Sequence, residues 1–309
     1  MNRIPVVLDC DTGTDDAMAI LTGLACSALD IRAITTVAGN VELKYTSVNT
    51  LNLVDYLGYD VPVAVGKSEP MIRPLHTAKE VHGENGMGDV VLPTSNCAFD
   101  SESAIDVIYR EAKLAAGDLH LVAVGPLTNI AHLFMTYPDV KPLIKHLTIM
   151  GGAIDGGNMT PCTEFNIHVD PEAAKLVSES GVPQTWVTLD ATLSATIEDQ
   201  MLEELRTVDT KKARISVEIL DYMVTRNRRF GIEGAVMHDG LALASVAVPE
   251  LLKGDDFYLT VETKGQYTSG KTVVDVARVT GKPNNAFVTT GMNVEKFRAW
   301  MKEMILNEA

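Results

Sequence analysis

Four aspartates lie within eight residues near the start of the chain, in the run DCDTGTDD at residues 9–16. This run follows an apolar segment at residues 4–8 and precedes a helical pattern at residues 17–21. Crowded, buried carboxylates repel one another and take raised pKa values, and a bound cation removes that repulsion. Hard oxygen ligands at this density suit Ca²⁺ or Mg²⁺ far better than Zn²⁺. One or two aspartates would be ordinary helix caps, but four after a buried strand favour a metal site.

Two later motifs also carry chemistry. Glu164 and Asn166 are two residues apart, so in an extended segment their side chains project on the same side, a spacing that suits sugar hydroxyls. The alternative for this pair is a hydrogen-bonded loop rim. His238 and Asp239 come at a predicted helix start, beside an apolar run. Here the alternatives are a capping aspartate and a histidine satisfied by its neighbours.

A segment rich in glycine and proline, residues 66–95, is too long for an ordinary connection and suggests a functional loop or lid. It contains His76 and His82. We expect His76 to be a solvated loop residue. For His82, in the run HGENG, the sequence leaves two possibilities open: a solvated loop histidine or a residue facing the site.

Short β-rich runs alternate with helical patterns over most of the chain. The predicted strands are residues 4–8, 31–38, 61–65, 119–124, 146–150, 185–189, 257–262, 272–276 and 286–288. Helical patterns include residues 41–57, 103–116 and 294–305, whereas residues 224–234 are predicted to be loop. This rhythm predicts an α/β fold with a largely parallel sheet and right-handed crossovers.

Open sheets of this kind bind ligands beyond the carboxyl ends of their strands. Asp11, Gly13 and Asn40 all follow predicted strand ends. A Gly-Pro turn after residue 124 leaves the carbonyl of Val124 free of ladder hydrogen bonds, so this oxygen could serve as a backbone metal ligand. The sequence therefore gathers its candidate ligands at one edge of the sheet.

The composition of the whole chain excludes several classes of function. No linker divides the 309 residues, so we expect one domain over residues 1–309. A net charge of -15 argues against nucleic acid as a partner, since phosphate binding needs clustered lysine and arginine. There is no room for a signal peptide before the first strand, and no apolar run approaches a membrane span. Four cysteines without CxxC pairing fit a reduced cytoplasmic protein.

Taken in order, the motifs resemble the nucleoside hydrolases, the inosine-uridine preferring N-ribohydrolase family. The family signature D-x-D-x-G-x-D-D stands at residues 9–16, with Thr12 where many members have proline. GPLTNIA at residues 125–131, EFNIHVDP at residues 164–171 and the His238-Asp239 pair follow in the family order. The resemblance covers residues 4 to about 250, and the last part carries no signature. It implies a Rossmann-like fold, a mostly parallel open sheet flanked by helices, in a homodimer or homotetramer.

The resemblance also implies how a metal is held. A Ca²⁺ ion would be bound by Asp11, Asp16, the carbonyl of Val124 and Asp239. Asp9 would lie just behind and support these ligands through hydrogen bonds.

The same resemblance implies contacts to a nucleoside. The ribose 2′ and 3′ hydroxyls would meet Asp15 and Asn166, and Asn158 and Glu164 would hold the 5′ hydroxyl. Phe165 could line the pocket.

The residue types agree with cleavage of an N-glycosidic bond. Such cleavage passes through an oxocarbenium-like cation that surrounding carboxylates stabilise. Asp11 would take the proton of a metal-activated water that Asn40 orients. His238 is the best candidate proton donor to the departing base, and His82 is a second candidate.

Base preference is expected to depend on residues 222–230. In the inosine-uridine preferring enzymes, tyrosines in this region help protonate the base. Tyr222 is retained here, whereas the following positions include Arg226 and Phe230. An arginine or Phe230 could stack on a base or polarise it, although a surface basic loop is an equal alternative for any single arginine. The sequence favours pyrimidine nucleosides as the predicted substrates.

Two other functions compete with this hypothesis. A phosphatase of the haloacid-dehalogenase type would use Asp9 as nucleophile and Asp11 as acid and base with Mg²⁺, but its later acidic pair is not found. A non-catalytic Ca²⁺-dependent sensor of nucleosides or ribose would keep the ligands and lose the base, Asp11, which is present. Ribonucleoside hydrolysis in nucleoside salvage is therefore the preferred prediction.

Overall fold

A computed structural model describes residues 3–306, and its centre is an eight-stranded β-sheet with helices on both faces. The strands, in chain order, are β1 (Ile4–Cys10), β2 (Leu29–Thr36), β3 (Val63–Val65), β4 (Leu119–Ala123), β5 (Ile144–Met150), β6 (Gln184–Val187), β7 (Thr196–Ile197), β8 (Ala235–Val236), β9 (Leu252–Phe257), β10 (Leu259–Val261), β11 (Thr272–Val274) and β12 (Ala286–Met292). The longer helices are α1 (Thr14–Ala25), α2 (Leu43–Leu57), α4 (Ala104–Ala115), α5 (Thr128–Thr136), α7 (Pro171–Ser178), α9 (Asp199–Arg206), α10 (Lys211–Arg228), α11 (His238–Ala247) and α12 (Val294–Leu306). Single-turn helices are α3 (Lys79–His82), α6 (Phe165–Val169) and α8 (Leu189–Thr192), and 3-10 turns cover Pro138–Leu143 and Pro249–Leu251.

The large sheet has the strand order β3-β2-β1-β4-β5-β6-β12-β9. Its neighbouring strands pair in parallel except for β12 and β9, which are antiparallel. The predicted α/β fold with a largely parallel sheet is therefore confirmed. The chain builds outward from β1 in one direction and from β4 in the other. The crevice beyond the carboxyl ends of these two strands is the usual ligand position in such a sheet.

Alternation along β1 divides the core into two layers. Val6 and Leu8 belong to the cluster on one face of the sheet, whereas Val7 belongs to the cluster on the other. This follows from the two-residue period of a strand, and the strand is apolar on both faces because helices cover both. On the first face, every residue of α1 is buried. A helix that is buried all round is a rigid base for the residues at its N-terminus.

The structure differs from the sequence prediction at several element ends. β1 runs to Cys10, so Asp9 lies inside the strand, and β2 ends at Thr36, four residues before Asn40. The predicted loop at residues 224–234 is wrong in its first part, because α10 continues to Arg228. The predicted strand at residues 257–262 is divided between β9 and β10. These shifts move boundaries and leave the order of the elements unchanged.

Within residues 3–306, no helix combines the length and the apolar character needed to cross a bilayer.

Asp170 is fully buried and forms hydrogen bonds with three separate segments. Its carboxylate accepts hydrogen bonds from the Thr128 hydroxyl at 2.7 Å, the Met71 amide at 2.9 Å and the Ala173 amide at 3.1 Å, the last as a cap of α7. Asp170→Ala removes the cap and leaves buried donors unpaired. We expect it to lower the free energy of unfolding in urea by about 3 kcal/mol.

The matched control is Ser103→Ala, which removes the cap of α4 at the protein surface. Because water can replace that bond, we expect a loss of about 1 kcal/mol or less. Equal losses in the two variants would contradict the role given to Asp170.

Candidate active site

The connection from β1 to α1 positions Asp11 and Asp16. Asp16, in the first turn of α1, accepts hydrogen bonds from the Gly13 amide at 2.9 Å and the Asp11 amide at 3.2 Å. The helix start thus folds back on its own loop in a capping arrangement. Gly13 is required by the close approach of its neighbours, since a Cβ there would lie 2.5 Å from His82 Nδ1 and 2.8 Å from Asn40 Nδ2.

Three carboxylates converge where α1 meets α11. Oxygen atoms of Asp15, Asp16 and Asp239 all lie within 4.8 Å of one another, and the three residues are buried. Burial raises the pKa of each carboxyl. For Asp16, whose pKa is raised to about 7, and for Asp239, the charges of neighbouring aspartates contribute to this increase. Without a positive charge among them, such carboxylates resist ionising together.

Asp11 lies beside this cluster, with one oxygen in use and one free. Its Oδ2 accepts a hydrogen bond from the Asn40 amide at 2.7 Å, whereas its buried Oδ1 has no hydrogen-bond partner among residues 3–306. Cβ atoms at Gly39 or Gly125 would collide with this carboxylate, so the loop is shaped around it. Burial raises the pKa of Asp11 well above its usual value, and the charge of Asp16 adds to this. A free buried oxygen beside three carboxylates fits a hard divalent cation.

Asp9 lies directly below, inside β1. Its Oδ1 accepts hydrogen bonds from the Thr35 hydroxyl at 2.6 Å and from Asn129 Nδ2 at 2.7 Å. Burial raises the pKa of Asp9 to about 7. Asn129 was not predicted from the sequence as a partner of Asp9. The indication in the sequence that Asn129 belongs to the site was its place, as a polar side chain, after a buried strand.

The second wall is built from α6 and the loop before it. Glu164 was expected in an extended segment, but its carboxylate caps α6, accepting hydrogen bonds from the Asn166 amide at 2.9 Å and the Ile167 amide at 3.1 Å. It also accepts one from the Gly152 amide at 3.0 Å. Burial nevertheless raises the pKa of Glu164 to about 7. The expectation of an extended segment was wrong because Glu164 is a strong cap acceptor.

Asn166 and Asn158 extend this wall. Asn166 Nδ2 donates to the carbonyl of Val124 at 2.8 Å and to that of Met150 at 3.2 Å, which ties α6 to the ends of β4 and β5. The Val124 oxygen therefore has one hydrogen bond and one remaining lone pair. Asn158 Oδ1 accepts from the Phe165 amide at 2.9 Å, which leaves the amide nitrogen of Asn158 available to a ligand.

Both candidate histidines reach the site. His82 is buried, and its Nδ1 accepts a hydrogen bond from the Thr14 amide at 3.1 Å, so its neutral form carries the proton on Nε2. His238 Nδ1 is 2.7 Å from the Thr192 hydroxyl. Burial, followed by the charge of Arg226, lowers the pKa of His82 to about 3 and that of His238 to about 4. At neutral pH both are uncharged imidazoles. Thr192 was not predicted from the sequence.

These elements enclose a cavity of about 240 Å³. Its lining includes most of the predicted site residues, namely Asp15, Asn40, His82, Val124, Asn158, Glu164, Phe165, Asn166, His238 and Asp239. Asp11 and Asp16 are buried and are not among the lining residues. The rest of the wall is partly apolar and includes Met159, Leu193, Met223 and Ile232. A lining that is polar in one part and apolar in another suits a sugar joined to a planar base.

Helix α10 contributes a face to the cavity that the sequence did not resolve. Met223, Arg226 and Asn227, at helical spacing, line the cavity together. Tyr222 does not line it, since its hydroxyl donates to the Val81 carbonyl at 3.4 Å and its ring covers Gly88. Phe230 is 68% exposed and lies outside the cavity lining.

The raised pKa of Glu164 gives the protein a pH-dependent stability. The folded state holds this proton more tightly than the unfolded state, so the free energy of unfolding falls as pH rises from about 4.5 to about 7. Glu164→Gln removes this titration. The free energy of unfolding is measured in urea with a chelator, at about pH 5 and about pH 8. Between these two pH values it should fall by on the order of 2 kcal/mol more in the wild type than in the variant. Parallel pH dependence in the two proteins would contradict this assignment.

Comparison with known proteins agrees with this site. The sequence model described as inosine-uridine preferring nucleoside hydrolase matches residues 6–299. The chain is 38% identical over 308 residues to the pyrimidine-specific ribonucleoside hydrolase RihA of Photobacterium profundum, covering 98% of this chain and 99% of that protein. These values show common family membership along the whole length.

Solved structures give the same result. The purine-preferring ribonucleoside hydrolase from Gardnerella vaginalis superposes with a TM-score of 0.92 at 32% identity, covering 97% of this chain and 98% of that one. The plant nucleoside hydrolase PpNRh1 gives a TM-score of 0.93 at 28% identity, with 99% and 100% coverage. The resemblance inferred from the sequence is confirmed and the phosphatase alternative is not supported: the chain belongs to the inosine-uridine preferring nucleoside hydrolase family and hydrolyses the N-glycosidic bond of ribonucleosides.

Proposed function

We propose that the protein hydrolyses pyrimidine ribonucleosides to ribose and free base in nucleoside salvage, with Ca²⁺ as its metal. The observation that carries this proposal is the free buried Oδ1 of Asp11 beside three clustered carboxylates, two of which line the cavity. The preference for pyrimidines is supported by the relative named pyrimidine-specific, which is 38% identical. The purine-preferring structure is less similar, at 32%.

The proposed Ca²⁺ ligands are Asp11, Asp16, the Val124 carbonyl and Asp239. When bound, Ca²⁺ would offset the charge of the carboxylates and make a coordinated water more acidic. Asp15 belongs to the same acidic cluster, but unlike Asp11 and Asp16 it lines the cavity. We therefore assign Asp15 to the ribose hydroxyls.

Asp11 is the proposed general base. Its carboxylate can take a proton from the attacking water, while the hydrogen bond from the Asn40 amide to Oδ2 holds the carboxylate in place. Asn40 Nδ2 donates to Asp16 Oδ2 at 3.0 Å, which leaves the amide oxygen of Asn40 to orient that water. Direct attack of water at C1′ would invert the anomeric centre.

The ribose contacts follow from the atoms still available. Asp15 and Asn166 would meet the 2′ and 3′ hydroxyls, and the carboxylates around the ring would stabilise the oxocarbenium-like charge. The free amide nitrogen of Asn158 and the lone pairs of Glu164 would hold the 5′ hydroxyl. Phe165 lies on the same wall and would pack against the nucleoside.

His238 is the proposed donor to the leaving base, with His82 as a second one. Because burial keeps both rings neutral at pH 7, each can donate a hydrogen bond from an uncharged imidazole, without the charge of an imidazolium acid. In this form the histidines orient and polarise the base more than they protonate it.

We further infer that residues 1–309 form one domain and assemble as a homodimer or homotetramer in the cytoplasm. The large sheet supports the single domain, because it includes strands from β1 near the start to β12 near the end of the chain.

The first test is ribose release from uridine, cytidine, inosine, adenosine and their 2′-deoxy forms, with and without a calcium chelator. We expect uridine and cytidine to be the best substrates and the deoxy forms to be poor, because they lack a hydroxyl that Asp15 and Asn166 would hold. Chelation should suppress turnover, and Ca²⁺ should restore it. Equal turnover in chelator would contradict the metal assignment, and faster purine release would contradict the base preference.

A second test separates the proposed base from the aspartate below it. Asp11→Asn should lower kcat by about 10³-fold or more, since the amide cannot accept the proton of water. Asp9→Asn keeps an oxygen for Thr35 and Asn129, so we expect a much smaller loss. Steady-state kinetics on uridine measure both effects. Full turnover by Asp11→Asn would disprove the assignment of the base.

A further inference from the structure

Arg226 is a partly buried arginine that forms no ion pair with a carboxylate among residues 3–306. Its Nε is buried and has no hydrogen-bond partner in the part of the chain that the structure describes, and one terminal nitrogen donates to Asn227 Oδ1 at 3.0 Å. Other arginines form ion pairs with carboxylates, namely Arg32, Arg73, Arg110, Arg206, Arg214, Arg228, Arg278 and Arg298. A desolvated charge without a partner is costly, so it marks a place where a ligand supplies the missing acceptor.

The surroundings of Arg226 fix its position at the site. It lines the same cavity as Asp15, His82 and Asp239. The guanidinium carbon lies 5.5 Å from the centroid of the Phe230 ring, in a cation–π contact. Its charge is one of the causes that lower the pKa of His82, and the charge of Asp15 acts on Arg226 in turn. Arg226 therefore borders the cavity, within electrostatic range of His82 and Asp15.

We propose that Arg226 stabilises the negative charge that develops on the departing base, by donating hydrogen bonds from its guanidinium to an acceptor of that base. This inference rests on the proposed function and adds to it the group that activates the leaving base. It makes Arg226 a catalytic residue, because its donors would touch the reacting nucleoside.

The step balances without any further reactant. As water adds to C1′ and loses its proton to a carboxylate, the electron pair of the C1′–N bond passes into the base. The resulting anion is delocalised onto an exocyclic oxygen, where the guanidinium donates hydrogen bonds and keeps its own protons. The base then takes a proton from water as it leaves, and the proton released by the carboxylate neutralises the hydroxide that remains. A fixed cation serves this step better than a neutral imidazole does, because charge develops in the transition state.

The same contact bears on which base is accepted. A guanidinium has donors and no acceptor, so it can recognise only acceptor atoms. Uracil and cytosine share a carbonyl oxygen beside the glycosidic nitrogen, although they differ at the opposite edge of the ring. An arginine directed at that shared oxygen would accept both pyrimidines.

The test compares two leaving groups in the Arg226→Gln variant. Uridine needs help to release its base, whereas 4-nitrophenyl riboside releases a stable anion unaided. We expect Arg226→Gln to lower kcat/KM for uridine by about 10²–10³-fold and that for 4-nitrophenyl riboside by only about threefold. The loss for uridine should fall mainly on kcat. Arg226→Lys, which keeps a positive charge, should lose less on uridine than the glutamine variant.

The matched control is Arg228→Gln, two residues along the same helix, where the arginine is exposed and paired with Asp199. This variant should keep the wild-type kcat/KM for both substrates. Equal losses on the two substrates in Arg226→Gln, or no loss on uridine, would overturn the proposal. If Arg226→Gln does not fold, the same comparison is made with Arg226→Lys. Its kcat/KM should fall more for uridine than for 4-nitrophenyl riboside, and equal losses would overturn the proposal.

A separate outcome would concern the proposed function itself. If the wild type released no ribose from either substrate, the hydrolase assignment would fail before Arg226 was tested. The two failures are therefore distinguishable.

Discussion

The structure depends on holding several carboxylates close together inside the protein. Asp11, Asp15, Asp16 and Asp239 are buried, and burial raises the pKa of each of them. They stay in place because the fold surrounds them with donors and rigid elements. Strand β1 delivers the loop at the centre of the sheet, the fully buried α1 anchors two of the aspartates, and α11 brings the fourth from far along the chain. A cation is the natural counterpart of this arrangement.

Much of this could be predicted from the sequence, for two physical reasons. Strands buried on both faces leave continuous apolar runs, so the α/β order was readable even where the ends were misplaced. The acidic motif is local, which is why Asp11 and Asp16 were recognisable within one loop. Because parallel strands end at one edge, Asn40 and Val124 could also be assigned to the same crevice.

What could not be predicted are contacts between residues far apart in the chain. Asn129 reaches Asp9 across 120 positions, and His238 meets Thr192 across 46. Such pairs leave no periodic trace, since each residue alone looks like an ordinary cap or turn. The extended segment expected at Glu164 failed for a related reason, because a carboxylate that finds free backbone amides can start a helix.

The cavity has two sides of different origin. The side proposed to hold the sugar comes from loops at the ends of β1, β4 and β5, which the central sheet fixes in position. The side proposed to hold the base comes largely from α3 and α10, which lie outside that sheet. Residues on α10 can therefore be exchanged during evolution without disturbing the acidic cluster that β1, α1 and α11 hold in place. Such a division offers a structural route by which relatives of one architecture come to be named pyrimidine-specific in one case and purine-preferring in another.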